Sequence, residues 1–155
     1  MTRRSRILAT ALAALAALTI LAAPAHAAPA TLWYTGHVQN AGWLQTVHDG
    51  ADAGTTGRSL RLEAITFTDP VVIARGHVQN LGWLPESGEL VGTTGRSLRL
   101  EAVQVAARWP GWAVRCQAHV QNLGWLPPVG DGQTCGTTGR SLRLEAVRLW
   151  MEPTP

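Results

Sequence analysis

One block, His77-Val78-Gln79-Asn80-Leu81-Gly82-Trp83-Leu84, is followed by a second, Gly92-Thr93-Thr94-Gly95-Arg96-Ser97-Leu98-Arg99-Leu100-Glu101-Ala102. The pair of blocks occurs three times. The first copy spans His37 to Leu44 and Gly54 to Ala64, and the third spans His119 to Leu126 and Gly136 to Ala146. Its leading His recurs at steps of 40 and 42 residues, so most of the chain is one unit written three times. Repetition at that period confines the fold to architectures in which each unit buries its apolar face against its neighbours. The units fall at about 31–68, 71–106 and 113–150.

Each unit reads as β structure. Leu60-Arg61-Leu62-Glu63-Ala64 alternates apolar and charged residues, as do Leu98 to Ala102 and Leu142 to Ala146. That period predicts a strand with Leu, Leu and Ala inward and Arg and Glu outward. A second strand is expected upstream of each His, over Leu32 to Thr35, Val71 to Ala74 and Trp112 to Val114. Asn-x-Gly at Asn40, Asn80 and Asn122 is turn or bulge chemistry, because Asn and Gly accept positive φ. Asp49-Gly50, Ser87-Gly88 and Asp131-Gly132 are further turn dipeptides. No window carries a capped 3.6-residue apolar period, so no helix is predicted.

Three complete copies with little flanking sequence argue against an open solenoid, which needs distinct terminal caps. The expected fold is therefore all-β, its three repeats closed with pseudo-threefold symmetry, which also removes open sheet edges. A β-prism is preferred and a β-trefoil is the alternative. Trp33 and Trp150 would lie side by side where such a ring closes.

Residues 1–27 read as a secretory signal peptide, leaving a single β domain over 28–155. Arg3, Arg4 and Arg6 precede an apolar run from Ile7 to Ala23, and Ala25-His26-Ala27 is a small-x-small cleavage site. The expected location is extracellular, with no membrane span after cleavage. Three of the 13 Arg lie in that leader and the chain has no Lys, so the remainder balances 10 Arg against 10 acids. A nucleic-acid partner would need a net basic face and is not expected. Cys116 and Cys135 are the only cysteines, and in an oxidising compartment they form one disulfide. Tyr34 and Ala53, then Ala74 and Val91, stand at the matching places, so the bridge is a local staple.

The recurring polar and aromatic residues are the candidate ligand-binding set. They are Trp43, Trp83 and Trp125; His37, His77 and His119; Gln39, Gln79 and Gln121; and Asn40, Asn80 and Asn122. An indole on a strand rim can stack on a sugar, with His, Gln and Asn supplying hydrogen bonds. Three equivalent indoles can equally fill a core, the reading that the following apolar Leu favours. His and Gln are expected on one strand face, with His bonded to the neighbouring strand at the recurring Glu. Convergence of the three His on an axis would make a zinc site, but no metal and no cofactor is expected. Arg61, Arg99 and Arg143 read with Glu63, Glu101 and Glu145 as a solvated charged face with cross-strand ion pairs. Glycoside hydrolysis needs two carboxylates flanking the bond, and each unit repeats only one. No nucleophile–base constellation is evident either, so the expected function is non-catalytic binding. Repetition suits multivalency. Arg108-Trp109-Pro110-Gly111-Trp112 joins the second and third units and places Trp109 at a turn, either as an anchor for a partner or packed against the sheet end.

The unit G/A-H-V-Q-N-x-G-W-L with G-T-T-G-R-S-L-R-L-E-A resembles the clostridial hydrophobic repeat with a characteristic tryptophan, the ChW repeat. The resemblance covers all three units, about Trp33 to Trp150, and maps the family's tryptophan onto Trp43, Trp83 and Trp125. It implies an extracellular module that binds polysaccharide or a cell-surface protein, and it brings no catalytic residues. Departures are small: Ala118 replaces Gly before the third His, and Gln45 stands where the other copies have Pro85 and Pro127.

Overall fold

In the computed structural model each repeat folds into one long antiparallel hairpin, and the alternation of its strands sets one face against a shared core. The structure describes residues 31–68 and 70–154, so the proposed leader lies outside the described residues. The hairpins pair β1 (Trp33–Val38) with β5 (Leu62–Phe67), β6 (Val72–Val78) with β9 (Leu100–Ala107), and β10 (Trp112–Val120) with β13 (Leu144–Pro153). Among the described residues there is no helix. In β6 the period-two pattern is complete: Val72, Ala74, Gly76 and Val78 are buried while Ile73, Arg75 and His77 face outward.

Two kinds of short strand complete each sheet. The Gly-Trp dipeptides form β2 (Gly42–Trp43), β7 (Gly82–Trp83) and β11 (Gly124–Trp125), which fold back on the first strand of their own repeat. The expected Asn-x-Gly turns make these reversals, with Asn40, Asn80 and Asn122 at φ of 61°, 64° and 64°. The second kind crosses between repeats. β8 (Leu90–Gly92) of the second repeat pairs with β5 of the first, and β12 (Cys135–Gly136) of the third pairs with β9 of the second. β4 (Ala53–Gly54) of the first pairs with β13 of the third. Every repeat thus lends a strand to another, and the three loans form a cycle. One sheet also carries β3 (Val47–His48) on β1. The three sheets are separate rather than joined in one closed barrel.

The inner faces meet in a single apolar cluster drawn from all three units. Val38, Val78 and Val120 occupy matching places, as do Leu62, Leu100 and Leu144, and all six are fully buried. At each lent strand a glycine lies against the host repeat's Glu: Gly54, Gly92 and Gly136 have φ of 131°, 99° and 113°. A Cβ there would overlap the backbone oxygen of Glu145, Glu63 or Glu101. The conformation and the space both require glycine.

Three expectations change. The Leu-Arg-Leu-Glu-Ala strand begins only at its second Leu, and it carries a β-bulge. Val38 pairs with Leu62 and His37 with Ala64, which leaves Glu63 as the extra residue; Glu101 and Glu145 are skipped in the same way. The bulge breaks period two, so Ala64 lies on the side of His37, away from Leu62, and Glu63 is re-aimed. Secondly, the disulfide is more than a local staple. Cys116 and Cys135 are bonded, and because β12 belongs to the sheet of β9, the bridge ties the third repeat's hairpin to the strand it lends away. Thirdly, Trp33 lies against His48, tilted, at 4.4 Å between ring centroids, and Trp150 pairs with Arg115 in the β10–β13 ladder. Closure between the first and last repeats instead uses Tyr34, at the place matching Cys116. Its buried hydroxyl accepts the Leu149 N–H at 3.0 Å and donates to the Ala51 carbonyl.

Candidate functional site

The bulge that displaces Glu63, Glu101 and Glu145 builds the same polar cluster on the outer face of every sheet. Each Glu is buried, at 5%, 6% and 6% exposure, so the solvated charged face expected from the alternation is not formed by these carboxylates. Oε1 accepts from the Arg two residues earlier, just before the strand, with Nη2 at 2.7 Å in all three repeats. The ion pairs are therefore along the chain rather than across strands. Oε2 faces the His of the neighbouring strand: Nδ1 of His37, His77 and His119 lies 3.2, 3.1 and 3.2 Å away. Those distances are short, but each Nδ1 is buried without an aligned hydrogen bond. The His–Glu juxtaposition expected from the sequence is present, as a close packed contact rather than a linear bond.

Each His in turn meets its Trp edge-on. The ring centroids of His37 and Trp43, His77 and Trp83, and His119 and Trp125 are 5.0, 5.3 and 5.2 Å apart at interplanar angles of 79°, 80° and 80°. The cause is register: His and Trp are direct partners in the β1–β2, β6–β7 and β10–β11 ladders. This overturns the core reading of the indoles. Trp43 is 45% exposed, and Trp83 and Trp125 are half-buried on the outer face. The Leu that follows each Trp packs against the core instead.

The remaining candidates divide. Gln39, Gln79 and Gln121 lie just beyond their strands, where their N–H groups donate to the carbonyls of Arg61, Arg99 and Arg143 at 3.0 Å. Asn40, Asn80 and Asn122 stand exposed at the turns, and their recurrence is explained by φ. The three His belong to three different sheets and do not converge on an axis. Among the described residues no three His, Cys, Asp or Glu side chains gather as metal ligands.

Two sets of residues at the site escaped the sequence reading. Thr93, Thr137 and Thr55 immediately follow the lent strands, and their N–H groups donate to the carbonyls of Glu63, Glu101 and Glu145 at 3.0, 3.0 and 2.9 Å. Their hydroxyls are buried without a partner. The recurrent Thr-Thr dipeptide was the available signal. The second set does not recur, so the repeat pattern hides it. Arg75 places its guanidinium 5.0 Å above the Trp83 ring, and Arg148 places its own 4.0 Å above Trp125.

The family model described as Clostridial hydrophobic W matches residues 37–67, 77–106 and 119–153, so each match contains one complete His–Trp–Glu cluster. Neither a curated protein nor a solved structure matches the chain. The three matches cover more than half of its length, and the chain belongs to the Clostridial hydrophobic W family.

Proposed function

We propose that this is a secreted, non-catalytic module that binds a cell-wall or environmental polysaccharide through indoles on the outer faces of its sheets. The observation that carries this reading is the placement of a large aromatic ring at the surface on a rigid support. Trp43 is held edge-on by His37, His37 by Glu63, and Glu63 by Arg61. Immobilising an amphipathic ring before the ligand arrives removes an ordering cost from binding. The buried carboxylate is engaged by Arg on Oε1 and packed against His on Oε2, which suits a supporting role. The basic, apolar start of the chain and its Ala-x-Ala site favour secretion. Among the described residues no helix is long and apolar enough to cross a membrane. The cyclic loan of strands, with one sheet per repeat, favours a closed, pseudo-threefold, prism-like arrangement over a trefoil.

The test is retention of residues 28–155 on insoluble cellulose, chitin and isolated cell walls, with intrinsic Trp fluorescence read during titration with the soluble fragments. Retention with a spectral shift is expected. Absence of both on every matrix removes the glycan reading. A second reading, a surface protein-interaction module, draws on Trp109. It is 39% exposed at the Pro110-Gly111 turn and stands with Pro70, Val71 and Pro110 around a surface recess.

A further inference from the structure

The three clusters share one framework but differ in what lies over the indole. In the second repeat Arg75 and Gln104 are cross-strand partners, and Arg75 Nε donates to Gln104 Oε1 at 2.7 Å. The pair holds the guanidinium over Trp83. In the third repeat the same two places carry Gln117 and Arg148, with the residue types exchanged between strands. Arg148 still reaches its ring, Trp125, and Nε is further fixed by Asp52 Oδ1 at 2.6 Å. Asp52 comes from the first repeat. The Arg–Gln pair thus covers an indole from either strand.

The first repeat has Thr35 and Thr66 at these places. Neither side chain is cationic or long enough to cover a ring, and Thr35 is turned to Thr46, with the hydroxyl oxygens 2.8 Å apart. Trp43 is accordingly the most exposed of the three repeat indoles. The places that carry the Arg–Gln pair in the other repeats hold uncharged hydroxyls here, and His37 meets the ring edge-on. The covered rings are flanked by charge: Arg75 shares a recess with Glu86, and Arg148 is bonded to Asp52.

We propose that the repeats are functionally unequal: Trp43 is the single open platform, suited to the apolar C–H face of a neutral sugar, and Arg–Gln pairs close the other two. A sugar can stack on Trp83 or Trp125 only after displacing a cation already bound to the ring face. The proposal rests on the glycan reading above, and it deepens that reading by naming the site, the ligand's charge class and the residues that gate the other copies.

The test uses residues 28–155 and a panel of neutral oligosaccharides (cellohexaose, chitohexaose and maltohexaose), with stoichiometry and affinity from titration calorimetry. The expected result is one molecule bound per chain, weakened at least about tenfold in Trp43→Ala, the loss of one stacking anchor. Thr35→Arg with Thr66→Gln should close the site in the same way. Thr35 is buried, so this pair risks misfolding; Arg75→Thr with Gln104→Thr tests the converse by uncovering Trp83, and should raise the stoichiometry to two. Folding of each variant is checked by circular dichroism. Three molecules bound by the unmodified chain, undiminished binding by folded Trp43→Ala, or no gain on uncovering Trp83 would overturn the inference and leave the glycan reading standing. No binding of any oligosaccharide by the unmodified chain or by the uncovered variant would also overturn the inference, and retention on the insoluble matrices then decides the glycan reading separately.

Discussion

Alkaline pH isolates a single side chain of this protein. The sequence has no Lys and one tyrosine, and its two cysteines are bridged. Arg ionises above the accessible range, which leaves Tyr34 as the titrating side chain between pH 10 and 12. Burial is the main cause that pushes its phenol up from 10.0 to about 12, with Asp49 and Asp52 adding to the rise. The hydrogen bonds from the backbone act in the opposite sense. The folded state therefore keeps its proton where the unfolded state loses it. The stabilisation is complete below pH 10 and disappears as pH rises through 12. Linkage puts the loss at roughly 1 kcal/mol at pH 11 and roughly 2 kcal/mol at pH 12, relative to neutral pH. Urea unfolding followed by Trp fluorescence at pH 8, 10, 11 and 12 measures this. Tyrosinate absorbance near 295 nm reports the ionisation itself. Tyr34→Phe should flatten the profile above pH 10. It should also cost about 1–3 kcal/mol at pH 8, because the buried Leu149 N–H and the Ala51 carbonyl lose their partner. A native phenol that ionises near pH 10, or an equally steep alkaline loss in Tyr34→Phe, would refute the argument that this hydroxyl is sealed between the first and last repeats.

Arg99→Met should destabilise by about 3 kcal/mol, since it strands the buried Glu101 carboxylate, whereas Arg99→Met with Glu101→Leu should recover most of the loss. Chemical denaturation of the two variants decides this, and a double variant less stable than the single would contradict it. Gly92→Ala should cost about 3 kcal/mol or more, because the new Cβ meets the Glu63 backbone oxygen at positive φ; a melting temperature within about 2 °C of the parent would show that the lent strand is not seated as described. Replacing Cys116 and Cys135 by Ser should remove about 3 kcal/mol, the chain-entropy value for a loop of this length, again read from urea midpoints.

Much of the architecture was legible because the three copies agree. Two strands per unit, turns at Asn40, Asn80 and Asn122, and a His set against the recurring Glu all follow from local chemistry written three times. The failures share one physical origin, a residue whose place is set by something outside its own strand. Period two assigns Glu63 to solvent, and a one-residue bulge, decided by pairing with β1, buries it. The Leu after Trp43 favours a buried indole by composition, yet neighbours on a strand face opposite ways, so a core Leu44 implies an outward Trp43. That inference was available from the sequence. The lent strands were not, because a short Ala-Gly or Cys-Gly segment carries no mark of which repeat it joins.

The copies' agreement also concealed their differences. Repetition draws attention to what recurs, and here the recurring His, Glu, Arg and Trp build a support common to all three repeats. What lies over each indole is decided by positions that vary: Thr35 and Thr66, Arg75 and Gln104, Gln117 and Arg148. The exchange of Arg and Gln between strands in the second and third repeats preserves one physical outcome, a cation over a ring, while erasing its signature from any comparison made position by position. Cross-strand register recovers it, since only the pairing of β6 with β9 and of β10 with β13 makes the two arrangements equivalent. In a repeat protein of this kind the invariant residues account for the fold and the support of the site, and the paired variable residues are where one copy becomes distinct from another.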